Sequence, residues 1–122
     1  MVNTKLKPIL PSLREKKRYL VFEVISNEQI KNADDVANAL WHFIMQFLGQ
    51  LEAAKAGIIL LNNKWNPMIQ RGIIKVGHKH VDALKAALMF ANKINNHEVI
   101  FRSIGVSGIL KKAETRFMIK SN

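Results

Sequence analysis

The residues of this 122-residue chain with the clearest capacity for chemistry are its four histidines, His42, His78, His80 and His97. Only His78 and His80 stand close together. A separation of two points their side chains to different sides of a helix, so the pair makes a poor metal chelate. Asp34 and Asp35 are adjacent carboxylates of a kind that magnesium uses, but their place ahead of an apolar-periodic run suits the capping and dipole of a helix start. Ser103 and Ser107 have no neighbouring base signature. Gly105 and Gly108 lack the spacing and the lysine of a phosphate loop. With no cysteine in the chain, thiol nucleophiles, disulfides, cysteine-ligated zinc and iron–sulfur clusters are excluded together. The residues therefore yield no catalytic set, no metal site and no bound cofactor.

Positive charge is what the chain has in surplus. Nineteen Lys and Arg stand against nine Asp and Glu, a formal net charge of +10. Such a surplus gathers polyanions, and nucleic acid or an acidic surface is the expected partner. The charge is unevenly placed: Lys5, Lys7, Arg14, Lys16, Lys17 and Arg18 face only Glu15 in the first twenty residues, whereas 21–63 are net acidic and 64–85 and 111–122 are basic again. Arg14, Lys16, Lys17, Arg18, Arg71, Lys111 and Lys112 are the candidate phosphate contacts, provided that folding brings their segments together.

The elements that must position these cations follow from periodicity. Residues 18–26, RYLVFEVIS, alternate with Leu20, Phe22 and Val24 on one face and read as a strand. Asn32 or Asp34 caps a helix in which Val36, Leu40, Phe43, Ile44, Phe47, Leu48 and Leu51 form one core-facing stripe, with Gly49 as a bend and Ala56-Gly57 as the end. Residues 57–65 and 68–76 flank Asn66-Pro67 as a hairpin. A second helix spans 78–95, ended by Asn95-Asn96, before a last strand over 98–107 and a short basic, helical tail. The order is βαββαβ. It predicts one α+β domain over residues 1–122, of the ferredoxin-like type that RNA recognition motifs share, with a four-stranded antiparallel sheet and helices on one face. The arm 1–17 and the tail 109–122 carry much of the charge.

An ordinary RNA recognition motif stacks bases on sheet aromatics. Here the third strand reads Arg71-Gly72-Ile73-Ile74-Lys75-Val76, which offers no ring, and Tyr19, Phe22 and Phe101 suit packing instead. RNA would be held through its phosphates and its shape. The first helix carries an apolar arc of roughly 200°, from Phe43 through Leu48 to Trp41 and Met45, wider than one sheet covers. Trp41, Met45 and Leu48 either pack beneath the segment after Gly49 or form a protein interface. An open aliphatic sheet face with Val21, Ile25 and Ile58 or Ile59 would add to it.

Three stretches carry a family likeness. Leu13-Arg14-Glu15-Lys16-Lys17-Arg18-Tyr19 enters the first strand, Arg71–Val76 precedes a helix with Ala86-Ala87-Leu88, and Gly105-Val106-Ser107-Gly108 leads into Ile109-Leu110-Lys111-Lys112-Ala113. Over residues 10–115 the chain resembles the protein component 2 family of ribonuclease P, in a lean form of archaeal type. Ile109 departs from the pattern, which leads one to expect threonine there. The resemblance implies a non-catalytic protein subunit of the ribonucleoprotein endonuclease that removes the 5′ leader of precursor tRNA. It implies that the RNA performs the magnesium-dependent hydrolysis, and that the protein pairs with a TIM-barrel protein, component 3, commonly as a dimer of heterodimers. A general structured-RNA-binding module and a protein-interaction scaffold of the same fold are the alternatives. No run approaches the roughly 20 apolar residues that span a membrane, residues 1–13 lack the apolar core of a secretory signal, and a cytoplasmic location is expected.

Overall fold

The computed structural model describes residues 16–119. Arg14 and most of the expected N-terminal arm lie outside them, as do residues 120–122. Strand β1 (Lys17–Ile25) opens the fold and is buried from Leu20 to Val24 without a break. Helix α1 (Ala33–Ala56) follows, then the hairpin β2 (Ile59–Asn66) and β3 (Arg71–Gly77), a 3-10 turn over His78–His80, and helix α2 (Val81–Phe90). A two-stranded ribbon, β4 (Lys93–Ile94) and β5 (His97–Glu98), leads to β6 (Ile100–Ser107) and helix α3 (Leu110–Phe117). The main sheet has the order β2-β3-β1-β6 and is antiparallel throughout, the expected ferredoxin-like arrangement.

Helix α1 starts where its capping residues require. Asn32 accepts a 2.8 Å hydrogen bond from the Asp34 amide, and Asp34 and Asp35 occupy the first turn, where carboxylates favour the dipole. Gly49 (φ 82°, ψ 164°) breaks the helix, and Gly57 closes it in the left-handed conformation at φ 63°. The break rephases the helix. Val36, Leu40 and Ile44 are buried before it and Ala53 and Ala56 after it, while Leu51 is 67% exposed and Phe47 is 45% exposed. The single core stripe expected from Val36 to Leu51 is thus corrected: it ends at Leu48, which is half-buried.

Helix α2 stops at Phe90, five residues before the expected Asn95. Ala91 is extended (φ −74°, ψ 129°), and Asn95 at φ 57° turns the ribbon instead of ending a helix. Ala91 and Ile94 are both buried as their spacing foretells. A spacing of three is met equally well by a helix and by a bent chain returning to the core, so burial was legible and conformation was not. The hairpin strand expected over 68–76 begins at Arg71, because residues 67–70 form the turn. There the Asn66 side chain accepts from the Met68 amide (2.9 Å), and Gln70, at φ 53°, donates from its side chain to the Val24 carbonyl (2.9 Å).

Helices α1 and α2 cover one face of the sheet over a core of Leu20, Leu40, Ile44, Ile74, Leu84 and Leu88. The other face, expected to be open, is covered over its middle by α3: Ala113, Val21 and Ile73 are fully buried together, with Tyr19, Leu61, Ile104, Leu110 and Phe117 packed around them. Ile58 is buried, and only Ile25 and Ile59 of the expected open face remain exposed. Among the described residues no helix is long and apolar enough to cross a membrane. Leu40→Ala should cost about 2–5 kcal/mol of stability, as buried leucines do, and Phe47→Ala less than about 1 kcal/mol. Urea midpoints of the two variants measure the difference; equal losses would return Phe47 to the core.

Candidate nucleic-acid interface

Strand pairing collects the basic segments. Lys17 lies opposite Gly77 at the end of β3, and Tyr19 opposite Ser107 at the end of β6, so the start of β1 and the ends of its two neighbours form one end of the sheet. The His78 amide donates to the Lys16 carbonyl at 2.8 Å, which places the 3-10 turn with exposed Lys79 beside the β1 entry. On the other side, the Ser107 hydroxyl accepts from the Ile109 amide (3.1 Å) and turns the chain through Gly108 into α3. The Arg18 guanidinium lies over Gly108, with Nη1 3.6 Å from where a Cβ would stand. Lys111 and Lys112 are exposed in the first turn of α3. Ile109 takes the N-cap position, no side chain caps the helix there, and no acid sits in its first turn. The positive end of the α3 dipole therefore coincides with two lysines, a setting that favours anions.

Of the seven cations expected to contact RNA, the structure brings together Lys16, Lys17, Arg18, Lys111 and Lys112, and Arg14 lies outside the described residues. Arg71 is placed differently. Its Nε donates to Glu23 at 3.0 Å and its Nη1 to the Phe117 carbonyl at 2.8 Å, and its side chain is only 12% exposed. It serves an internal ion pair beneath α3, not the basic end. Arg102 binds the other oxygen of Glu23, at 2.8 Å. Burial by itself would raise the Glu23 pKa, but the hydrogen bonds and charges of Arg71 and Arg102 outweigh it and hold the carboxyl below its ordinary value of 4.5. Sequence reasoning missed this cluster because Glu23 falls at an ordinary alternating position of a strand.

The sheet aromatics are packed, as their types suggested. Phe22 stacks on Trp65 with centroids 6.1 Å apart and meets Phe101 at the same distance, within the core under α1 and α2. Tyr19 packs against the α3 cluster. His78 and His80 fall in the 3-10 turn, and no group of three or more His, Asp or Glu that could hold a metal ion occurs among the described residues.

The expected protein interface is part groove and part core. Trp41, 39% exposed, and half-buried Met45 line a groove of about 530 Å³ with Ala53, Ala54, Ile58 and Ile59. The segment after Gly49 thus forms the groove's far wall without covering the indole, and Lys17 stands on the rim. Leu48 is half-buried against the core and is not part of the groove lining. A further apolar patch was not foreseen: Phe90 meets Phe43 at 6.1 Å and Phe47 at 5.6 Å between ring centroids, beside Met89, which is 82% exposed. Its signal was present in Leu88-Met89-Phe90, three consecutive large apolar residues where one helix face can bury only some.

The profile of the Rpp14/Pop5 family matches residues 18–118. The chain is 38% identical over 114 residues to ribonuclease P protein component 2 of Thermococcus kodakarensis, covering 93% of this chain and 92% of the relative. Component 2 of Pyrococcus abyssi is 35% identical over 114 residues (93% and 94%), and that of Methanocaldococcus jannaschii 30% over 115 residues (93% and 81%). A chain in a cryo-EM structure of yeast ribonuclease MRP shares the fold, with a TM-score of 0.59 over 78% of this chain and 76% of that one at 11% identity.

The Glu23 cluster makes stability depend on acid. A depressed carboxyl pKa means that the folded protein binds this proton less readily than the unfolded chain, so the stabilisation is full above pH 4.5 and is lost as pH falls through the folded value. Urea midpoints should drop on acidification below about pH 4.5, and Glu23→Gln should flatten that limb while lowering stability at neutral pH. An acid limb unchanged in Glu23→Gln would assign it to other carboxylates.

Proposed function

The chain belongs to the Rpp14/Pop5 family, and from that membership we propose that it is a non-catalytic protein subunit of ribonuclease P, the ribonucleoprotein endonuclease that frees the 5′ end of tRNA from its precursor. The observation that carries the reading is the convergence of Lys16, Lys17, Arg18, Lys111 and Lys112 on one end of a sheet whose two faces are both covered. Covered faces leave phosphates and shape, rather than stacked bases, as what the protein can hold.

The contribution to catalysis is electrostatic. Where an RNA fold brings phosphates together, fixed lysines and arginines replace mobile counterions that would otherwise be needed at high concentration. The RNA then populates its active fold at lower ionic strength, and the magnesium that serves hydrolysis stays with the RNA. Precursor tRNA meets the protein only through the assembled enzyme. The Trp41 groove and the Phe43–Phe47–Phe90 patch give the helix side to protein partners: component 3, a TIM-barrel protein, and a second copy of the chain within a heterotetramer. The assembly works in the cytoplasm.

Reconstituted precursor-tRNA cleavage at limiting magnesium, with ribonuclease P RNA and component 3, should rise only when this chain is added. No rise, with the same components made competent by a relative, overturns the reading. Replacing Lys16, Lys17 and Arg18 by alanine should lower the log–log salt slope of RNA binding by roughly 2 to 3, at about 0.7–0.9 per phosphate contact. Equal affinity for unrelated structured RNAs would make the chain a general RNA-binding module instead. Trp41→Ala should weaken association with component 3 or with a second copy by about 2 kcal/mol while RNA affinity holds. Normal assembly with reduced stability would place Trp41 in the core.

A further inference from the structure

Helix α3 serves two surfaces at once. Its first turn presents Lys111 and Lys112 at the basic end, whereas its last residue is tied to the middle of the sheet. The tie has three parts. Phe117 lays its ring on Gly105 of β6, where any Cβ would overlap the ring atoms. The Phe117 carbonyl accepts from Arg71 Nη1, and Arg71 is itself held by buried Glu23, which Arg102 braces from the other side. Glu114 adds an ion pair to Lys64 of β2 at 2.6 Å. Against this, the helix buries a single residue completely, Ala113, and it has only eight residues, too few to be stable alone. Leu110 and Ala113 rest its near half on Val21 and Ile73, and the Phe117 contacts fix its far end.

We propose that the contact of Phe117 with Gly105, together with the Glu23–Arg71 pair that holds the Phe117 carbonyl, is a positioning latch that fixes Lys111 and Lys112 in register with the phosphates of ribonuclease P RNA. The inference rests on the RNA-binding reading of those lysines. None of Gly105, Phe117, Glu23 or Arg71 touches the RNA in this account. They act through α3, by holding two charges that a loose helix would spread over many positions. A fixed cation pays its ordering cost on folding and not on binding. Total charge is the same whether the latch is closed or open, so the latch affects recognition of a particular arrangement of phosphates and leaves general attraction to polyanions alone.

Gly105→Ala opens the latch from the sheet side, since its methyl occupies the place of the Phe117 ring and Gly105, beside the register shift at Ile104, has no left-handed φ that an alanine would strain. Phe117→Ala opens it from the helix side. Neither changes a charge. Amide hydrogen exchange along 110–117 reports whether α3 has undocked, and the unchanged protection of β1 and β3 reports an intact sheet. Both variants should lower the salt slope of binding to ribonuclease P RNA by about 1.5, as Lys111→Ala/Lys112→Ala does for two phosphate contacts. Adding the lysine changes to either should cause no further loss, and binding to heparin should follow charge alone, falling with the lysines and not with the latch. Should both variants undock α3 and keep the full slope while the lysine variant loses it, the latch is overturned and the RNA reading stands. A lysine variant with an unchanged slope would remove α3 from the RNA site and the latch with it. Protection of α3 retained in both latch variants would also overturn the proposal, because Phe117 and Gly105 would then not be what holds the helix.

Discussion

Burial of β1 on both of its faces is the constraint from which the other elements follow. Five consecutive buried residues, Leu20 to Val24, demand two covers. Leu20, Phe22 and Val24 meet α1 and α2, and Val21 meets α3. Glu23, on the Val21 side, becomes a carboxylate in an apolar layer, and it persists there because two guanidiniums reach it. Arg71 and Arg102 come from the strands on either side of β1, so the ion pairs tie β3, β1 and the edge strand β6 together and mark the layer where α3 ends. A charge that costs free energy to bury thus becomes a fixed point for the helix that covers it.

The same covering decides how the molecule meets its partners. A ferredoxin-like sheet with an open face would offer side chains to bases; here α3 lies on that face, and the proposed RNA contact falls to the sheet end where strand termini expose backbone turns and lysines. Apolar surface is displaced to the helix side. Gly49 has a part in this, because the helix it interrupts turns Leu51 outward and Ala53 inward and so opens the groove beside Trp41. The groove and the basic end meet at Lys17, which is both the first residue of β1 and a lining residue of the groove.

Periodicity made β1, the Asn32-capped start of α1, the hairpin and the final strand legible, because each couples a spacing to a turn or capping residue. It misplaced the end of α2, since Ala91 and Ile94 satisfy the helical spacing from a ribbon. It left one sheet face open, since the tail that closes it reads as a basic segment with few apolar residues: Leu110, Ala113 and Phe117 gain meaning only beside Val21, Ile73 and Gly105. The candidate cations could be named from the sequence, but their grouping depends on strand register, and that separated Arg71 from the rest. Composition alone reaches as far as a polyanion-binding domain. The subunit reading came from the motifs at 13–19, 71–76 and 105–113.

The pairing of Tyr19 with Ser107 joins positions roughly ninety residues apart in a short chain, and contacts of that span close slowly and late. Emerging from the ribosome, β1 can pair with β3 once the hairpin is made, but it keeps one edge and one face unfilled until β6 and α3 arrive. The basic end is assembled by that last event, because one half of it belongs to the first strand and the other to the final turn and helix. A chain halted before β6 carries many of the charges without their arrangement. Such a fragment is left with an apolar strand uncovered on one face and without the assembled basic end.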